Sequence, residues 1–530
     1  MSARVLPADV LKPAPSFLGR IGGDAAGQLE RSVDARSVVL ERRHREAETA
    51  LADGGALRRH QAAIRRKAAV AIRMTPLDLR GTDAHVIASR DLNDLVVETV
   101  QIDAAVGGAL PLTILRRHGS GAKPAVLVIP GHGPRRGARI LDLAAAIASG
   151  GVVVAVMEVW GAGERSEFRD MSGESELRLE PDDILPVREH NAAGMALWAV
   201  GESLARAMVV DAQRALAYLR GRRDVDANRL GVTGPSGGGL VTSWLMMLDP
   251  DIRAAAPLIF ISDQAHIRAS GIPQCSEQIA LGDGEAWIDH SDALVAMAPR
   301  PVLVASGDHD FFPVEGAAAT VARGRHAYRL VGAEAQLRRR RFSCGHDLPP
   351  EMALEVARFF AEVLRADTTP EWREGIWPAD ELAATRSGFA SLDDAAGSRL
   401  HAHVRRRQEA GLGESTAESA VAWLRERIRA RHIDGVGHIR WTSDAHSSLD
   451  GVPVRRRTGF WPGSRHGVSS AGVLIEPPQG ADDVVVALFD RGTRDLSEHR
   501  RWVVERVAQG SAVLALDVPG MGSVAPRARN

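Results

Sequence analysis

The chain has 530 residues, 45% hydrophobic, 25% charged and 4% aromatic, with 66 basic against 67 acidic side chains. This excludes disorder, a collagen-like repeat and a small disulfide scaffold, and predicts two or more packed domains at ~100–200 residues each. A formal net charge of −1 gives no electrostatic reason to expect nucleic acid or anionic lipid as a partner.

The opening MSARVLPADVLKPAPSF lacks the apolar core of a signal peptide, and no stretch approaches the ~20 apolar residues that span a bilayer. The expectation is a soluble, cytoplasmic protein. Residues 1–95 are rich in Arg, Ala and Glu, and ALRRHQAAIRRKAAVAIRM (56–74) has helical spacing, which predicts a helical N-terminal arm. From residue 96 the pattern changes. VVETVQI (96–102) and LPLTILR (110–116) read as an antiparallel pair, followed by AVLVIPG (125–131), VVVAVME (152–158), RLGVTG (229–234), IRAAAPLI (252–259) and PVLVASG (301–307). Runs this apolar belong to strands buried on both faces. The amphipathic segment 204–220 puts Leu204, Met208, Ala212, Leu216 and Leu219 on one helical face. Strands alternating with helices predict an α/β sandwich with a mostly parallel sheet over residues 96–366.

The C-terminal part repeats the opening of that unit. A shift of 359 residues sets AVLVIPGHG (125–133) on VVVALFDRG (484–492) and VVVAVMEVWGAG (152–163) on AVLALDVPGMG (512–522), with Glu158 matching Asp517. The arm recurs as well, AIRRKAAVAIRM (63–74) facing AWLRERIRARHI (422–433), so that 367–439 reads as a helical linker repeating the arm. Residues 440–530 then read as an incomplete, non-catalytic second copy of that unit. The match stops after the equivalent of the fourth strand, and truncation of a longer two-unit protein is the favoured account.

GVTGPSGGG (231–239) holds Gly234-Pro235-Ser236-Gly237-Gly238, a G-x-S-x-G pentapeptide. With 52 glycines in the chain the pentapeptide alone is weak, and its setting carries the argument: strand-like residues precede it and LVTSWLMML (240–248) follows as a helix. In that setting glycines permit a strained turn that exposes the serine Oγ and aims a helix N-terminus at it. A serine needs a base to take its proton and an acid to orient the base. PVLVASG runs into Asp308-His309-Asp310, and FSCGHDLPPE places His346 in a Gly-flanked loop before a helix. Asp308 and Asp310 compete as the acid, with Asp310 preferred. The oxyanion would be met by the backbone N–H of Gly237 and by that of His132 in Pro130-Gly131-His132-Gly133.

These motifs make residues 96–366, about half the chain, resemble the α/β-hydrolase superfamily, and within it the acetyl xylan esterase-like and dienelactone hydrolase-like branch. The residues that carry the likeness are IPGHG (129–133), GAGER (161–165), DVDANRLGVTGPSGGG (224–239), APRPVLVASGDHDFFP (298–313) and CGHD (344–347). The resemblance implies Ser236 as nucleophile, Asp310 as acid and His346 as base. The chain departs from the family where Pro130-Gly131 replaces the usual His-Gly, and its elbow carries no thiol. Residues 160–202 and 260–299 are long for ordinary connections and read as a lid, with Trp160, His190, Trp287 and Phe311 as candidate substrate contacts.

Without H-E-x-x-H, paired C-x-x-C or P-loop motifs, neither metal nor nucleotide cofactor is implied. Cys275 and Cys344 are too few for a disulfide framework; they read as free thiols, with a bridge between them the alternative. The leading expectation is a serine hydrolase of carboxylic esters, acting on a small ester or an acetylated carbohydrate. A prolyl-oligopeptidase-like peptidase would need a β-propeller that 95 residues of arm cannot form, and an intact Ser, Asp and His in order argues against a non-enzymatic scaffold. On this reading, deleting residues 440–530 leaves ester hydrolysis largely intact. Loss of turnover by a deletion variant that keeps its far-UV circular dichroism would show that the second unit completes the site.

Overall fold

The computed structural model describes residues 10–13, 28–74, 83–106, 108–181, 183–272, 274–280, 287–372, 374–393, 399–411, 416, 418–419, 421–422, 439–462 and 469–524. Two compact units result, Arg43–Glu414 and Met1–Arg42 with Ser415–Asn530. The division falls within helix α1 (Gln28–Thr49). Among the described residues no single helix is long and apolar enough to cross a membrane.

The larger unit continues through α2 (Gly54–Ala71), β1 (Ala84–Leu92), β2 (Leu95–Asp103), β3 (Ala109–Arg116), β4 (Lys123–Val128), α3 (Ala138–Ser149) and β5 (Val153–Met157). Then come α4 (Leu185–Ala199), α5 (Leu204–Gly221), β6 (Val225–Pro235), α6 (Gly237–Leu248), β7 (Ala254–Leu258), α7 (Gln264–Ser270) and α8 (His290–Met297). β8 (Val302–Gly307), α9 (Val314–Arg329), β9 (Leu337–Phe342), α10 (Pro350–Val363), α11 (Ala390–Asp393) and α12 (Arg399–Gly411) complete it. The nine strands form one sheet in the order β1-β2-β3-β5-β4-β6-β7-β8-β9. β1, β2 and β3 are antiparallel and β5 through β9 are parallel, the α/β-hydrolase arrangement.

Both faces of the sheet are covered between its edge strands, which is why β2 to β8 read as continuous apolar runs. Along β4, Val126 and Val128 share one core cluster with Leu141 and Ile147 of α3 and Val356 and Phe360 of α10. Ala125 and Leu127 point the other way, toward Leu57 and Ile64 of α2, Leu216 of α5 and Leu245 of α6. Each of these valine, leucine, isoleucine and phenylalanine side chains, buried in full, contributes roughly 1.5–3 kcal/mol.

Three sequence expectations change here. Residues 84–92 are a strand, not part of a helical arm, and α2 buries Leu57, Ile64, Ala68 and Ala71 in the core of the larger unit. β9 (LRRRRF) was not anticipated, because an edge strand with half-exposed arginines has no apolar pattern. Residues 374–389 of the expected linker contain no helix. This segment caps the unit: Leu382 O accepts from buried Arg135 at 2.9 Å, and Ala384 N and Thr385 N donate to Glu164 Oε1 at 2.8 and 2.7 Å. Most of 422–433, matched to the arm, lies outside the described residues.

The smaller unit carries β10 (Arg440–Leu449), β11 (Val452–Pro462), β12 (Ser469–Glu476), β13 (Val484–Ala487), α13 (Arg500–Ala508) and β14 (Ala512–Asp517). Its order, β10-β11-β12-β14-β13, is that of β1-β2-β3-β5-β4, with the same single parallel pair at the end. One carboxylate recurs with its role. Glu158 accepts from Arg135 N at 2.7 Å and Glu164 N at 3.3 Å, tying together the turns after β4 and β5. Asp517 accepts from Thr493 N at 2.6 Å and Ser523 N at 3.0 Å in the same two turns of the smaller unit. Among its described residues the smaller unit has no counterpart of β6 to β9. Val484, Val486 and Leu488 are therefore 52%, 56% and 64% exposed, where the equivalent Ala125, Leu127 and Ile129 are all at 0%.

An ion-pair network anchors the end of α1 to the larger unit. Glu48 accepts from Arg323 Nε at 2.7 Å and Ser291 Oγ at 2.6 Å, and lies 3.2 Å from His44 Nε2. Burial works to raise its carboxyl, but the hydrogen bond from His44 and the charge of Arg323 outweigh this and hold it at about 2. Its folded value lies below its ordinary 4.5, so its contribution is present above about pH 4.5 and lost as pH falls toward 2. Glu48→Gln is expected to lower stability by roughly 2–3 kcal/mol near pH 7, and the gap to wild type should close between pH 4.5 and 2 in denaturant titrations. A gap that is independent of pH would rule out the charge as its source.

Candidate active site

Ser236 stands between β6 and α6 at φ 56° and ψ −121°. A non-glycine residue there costs on the order of 1–3 kcal/mol and needs surroundings that enforce it. They do: Ser236 N donates to Leu258 O of β7 and Leu240 N to Ser236 O, each at 3.0 Å. Just as important is how closely the end of β4 approaches. A Cβ on Gly234 would stand 2.1 Å from Ile129 O, and one on Gly238 only 1.8 Å from the same oxygen. Both flanking glycines of the pentapeptide are thus required by backbone contact.

The strand order reverses between β4 and β6, because β5 pairs with one side of β4 and β6 with the other. Loops leaving the carboxyl ends of strands at such a switch point frame a crevice. Here the loop Pro130–Gly133 lies against the elbow: a Cβ on Gly131 would be 3.0 Å from both Ser236 Cβ and Pro235 O. His132 and Gly237, the two oxyanion candidates, therefore flank Ser236. A cleft lined by Arg116, Lys123, Gly151, Asp224 and Asp367 lies at the opposite ends of β4 and β5 and includes none of the candidate catalytic residues.

β8 and β9 are parallel neighbours, so the loops that follow them run side by side. Asp308 N donates to Phe342 O at 2.9 Å and His309 N to Cys344 O at 3.0 Å, extending the strand pairing. Thirty-six residues apart in sequence, Asp310 Oδ1 and His346 Nδ1 meet at 2.9 Å. The Asp310 side chain is 1% exposed and also accepts from Phe312 N, whereas His346 is 24% exposed. Asp308 instead accepts from Arg341 Nε at 2.7 Å at the surface. Phe311, 52% exposed, lies with its ring centre 4.1 Å from that of His346.

The other substrate-contact expectations fare differently. Trp160 and His190 are buried at 3% and 1% exposure, so neither ring offers a stacking face, and Arg165 covers Trp160 at 4.9 Å. Trp287 is half-buried beneath Arg268. Cys275 and Cys344 are free thiols, not a bridge. What the sequence reading missed is a buried cluster behind the His132 loop, formed by His132, His190, Cys275 and Glu277. Glu277 Oε2 sits where a Cβ on Gly237 would be 2.8 Å away. Burial pushes the Glu277 carboxyl and the Cys275 thiol up, and pushes His132 down and His190 down to about 4. Donors from three distant places in the chain leave no spacing motif to find.

No family model matches the chain. Putative hydrolase YtaP of Bacillus subtilis is 24% identical over 302 residues, which cover 54% of this chain and 94% of that protein. Among solved structures, methylesterase BT1017 superposes with a TM-score of 0.53 at 20% identity, covering 71% of this chain and 78% of its own. A glucuronoyl esterase from Solibacter usitatus covers 59% of this chain and 94% of its own at 15% identity and a TM-score of 0.45. The chain has an α/β-hydrolase fold with esterase-like relatives at low identity.

The contact geometry separates two glycines of the site. Gly238→Ala drives a methyl into Ile129 O and is expected to abolish soluble, folded protein, while Gly133→Ala, with nothing within 4 Å, should fold with a melting temperature near wild type. Equal melting temperatures for the two variants would refute the backbone contact.

Proposed function

We propose that the larger unit is a serine hydrolase that cleaves carboxylic esters through an acyl-enzyme, with acetyl esters of carbohydrates as its substrate class. The observation that carries this reading is the 2.9 Å contact of His346 Nδ1 with buried Asp310, on loops at the same end of the sheet as the positive-φ elbow of Ser236. Asp310 keeps the proton on Nδ1, so Nε2 is the basic nitrogen. His346 takes the Ser236 proton as Oγ attacks the ester carbonyl. The tetrahedral oxyanion is met by the N–H groups of Gly237 and His132. Collapse expels the alcohol, which receives the proton from His346 and leaves acyl-Ser236. Water, deprotonated by the same imidazole, then releases the acid and restores the serine.

Esterase-like relatives support ester over peptide cleavage. The carbohydrate class rests on the motif likeness to acetyl xylan esterases and on Phe311, an exposed ring beside His346 that suits a sugar face. The name of BT1017 makes methyl esters the second arm of a substrate screen.

The test is turnover of p-nitrophenyl acetate, longer acyl esters, acetylated xylan and methyl esters by wild type and variants. Ser236→Ala and His346→Ala should each lose at least ~10³-fold in kcat, and Asp310→Asn about 10²–10⁴-fold. Asp308→Asn should stay within a few-fold of wild type. Retained turnover in Ser236→Ala would remove the nucleophile, and a larger loss in Asp308→Asn than in Asp310→Asn would move the acid.

A further inference from the structure

We propose that His132, His190, Cys275 and Glu277 hold one divalent transition-metal ion of the zinc type behind the oxyanion loop. The donor atoms all lie within 4.8 Å of one another. Cys275 Sγ is 3.5 Å from His132 Nε2 and 3.5 Å from His190 Nδ1. Glu277 oxygens are 3.5 Å from His132 Nε2 and 3.6 Å from His190 Nδ1. A tetrahedral zinc site, with Zn–S near 2.3 Å and Zn–N and Zn–O near 2.0–2.1 Å, requires S···N edges of about 3.6 Å and N···O edges of about 3.4 Å. Both S···N edges have this length, and so does one N···O edge to whichever Glu277 oxygen binds, since Oε1 is the oxygen near His132 and Oε2 the one near His190.

Independent features point to a cation. His190 Nε2 donates to Trp160 O at 2.7 Å, which leaves the Nδ1 lone pair facing the cluster, as metal-bound imidazoles are commonly oriented. Glu277 is 1% exposed, and its Oε1 has no hydrogen-bond partner among the described residues. No lysine or arginine pairs with it there. The other group of possible ligands, His44, Glu48 and Asp292, is different: Arg323 lies 2.7 Å from Glu48 and Lys67 3.7 Å from Asp292, so cationic side chains already neutralise it. One thiolate and one carboxylate balance a divalent ion, leaving a neutral buried site, and burial of charge demands such balance.

The cluster is also braced. Ser276 N and Oγ donate to Asn191 Oδ1 at 3.1 and 3.2 Å, holding the 275–277 turn on α4 next to His190. A Cβ on Gly194 would lie 2.3 Å from Ser276 Cβ, so glycine is what lets the turn sit so close. Four protein donors close the coordination shell, which makes the ion a structural clamp joining the loop after β4, α4 and the 275–277 turn, without an open position for substrate.

Tag-free full-length protein should purify with about one zinc per chain by elemental mass spectrometry. Protein stripped with a chelator should take up one equivalent of Co²⁺, showing a thiolate-to-metal charge-transfer band and tetrahedral d–d absorption. Folded Cys275→Ser and His190→Gln should bind at least ~10-fold more weakly, while Ser236→Ala and His44→Gln keep wild-type metal content. Because the readout is metal, inactive Ser236→Ala that still binds separates this proposal from the ester chemistry. Absence of stoichiometric binding by folded wild type overturns it, as does undiminished binding by folded Cys275→Ser. Should that variant not fold, the cobalt spectrum of wild type decides: a thiolate band supports the site, and bound cobalt without one overturns it.

Discussion

The candidate site depends on one close approach of backbone to backbone. Ile129 O, just past β4, presses against Gly234 near the end of β6 and Gly238 in the first turn of α6, where even a methyl group would collide. That contact sets the height at which the chain turns from β6 into α6, and so the strained conformation of Ser236. It also lays Gly131 on the Ser236 side chain, bringing the His132 loop beside the first turn of α6. Nucleophile and oxyanion candidates are therefore positioned by a single crossing of two neighbouring parallel strands.

A second constraint lies one layer back and is used twice. A carboxylate after β5 and at the end of β14 gathers backbone N–H groups from the two turns beside it, through Glu158 in one unit and Asp517 in the other. Glycine is needed next to it in both, since a Cβ on Gly163 would lie 2.7 Å from Glu158 Oε2 and one on Gly522 1.8 Å from Asp517 Oδ1. The larger unit pays more for this device. Burial pushes Glu158 up to about 7 against the pull of Arg135, itself at 0% exposure and shared with Glu164. The cap formed by Leu382, Ala384 and Thr385 then satisfies the outer groups of that network.

Around Ser236, acids are managed in two ways. Asp310 has a partner in His346, 2.9 Å away, which remains partly open to solvent. Glu277 lies deeper, against Gly237, with histidines and a thiol around it and no cationic side chain among the described residues. A bare carboxylate next to an oxyanion hole would oppose the charge that develops there. The proposed ion, held between the same side chains, would remove that conflict and stiffen the loop that carries His132.

Much was legible in the sequence because the physics is local. Apolar runs gave the strands from β2 to β8, the helical stripe of 204–220 gave α5, and the 359-residue repeat gave a second, shorter sheet that copies the strand order of the first. The pentapeptide with its flanking strand and helix located Ser236 and explained its glycines in kind. β1 and β9 were missed because edge strands expose one side and carry polar residues. Tertiary structure alone sets Asp310, and not Asp308, against His346, through the pairing of β8 with β9. It alone buried Trp160 and His190 and drew His132, His190, Cys275 and Glu277 into one cluster. Those four are contributed by a loop, a helix and a distant turn, and such a convergence leaves no trace in spacing because the chain between them has no fixed length to respect.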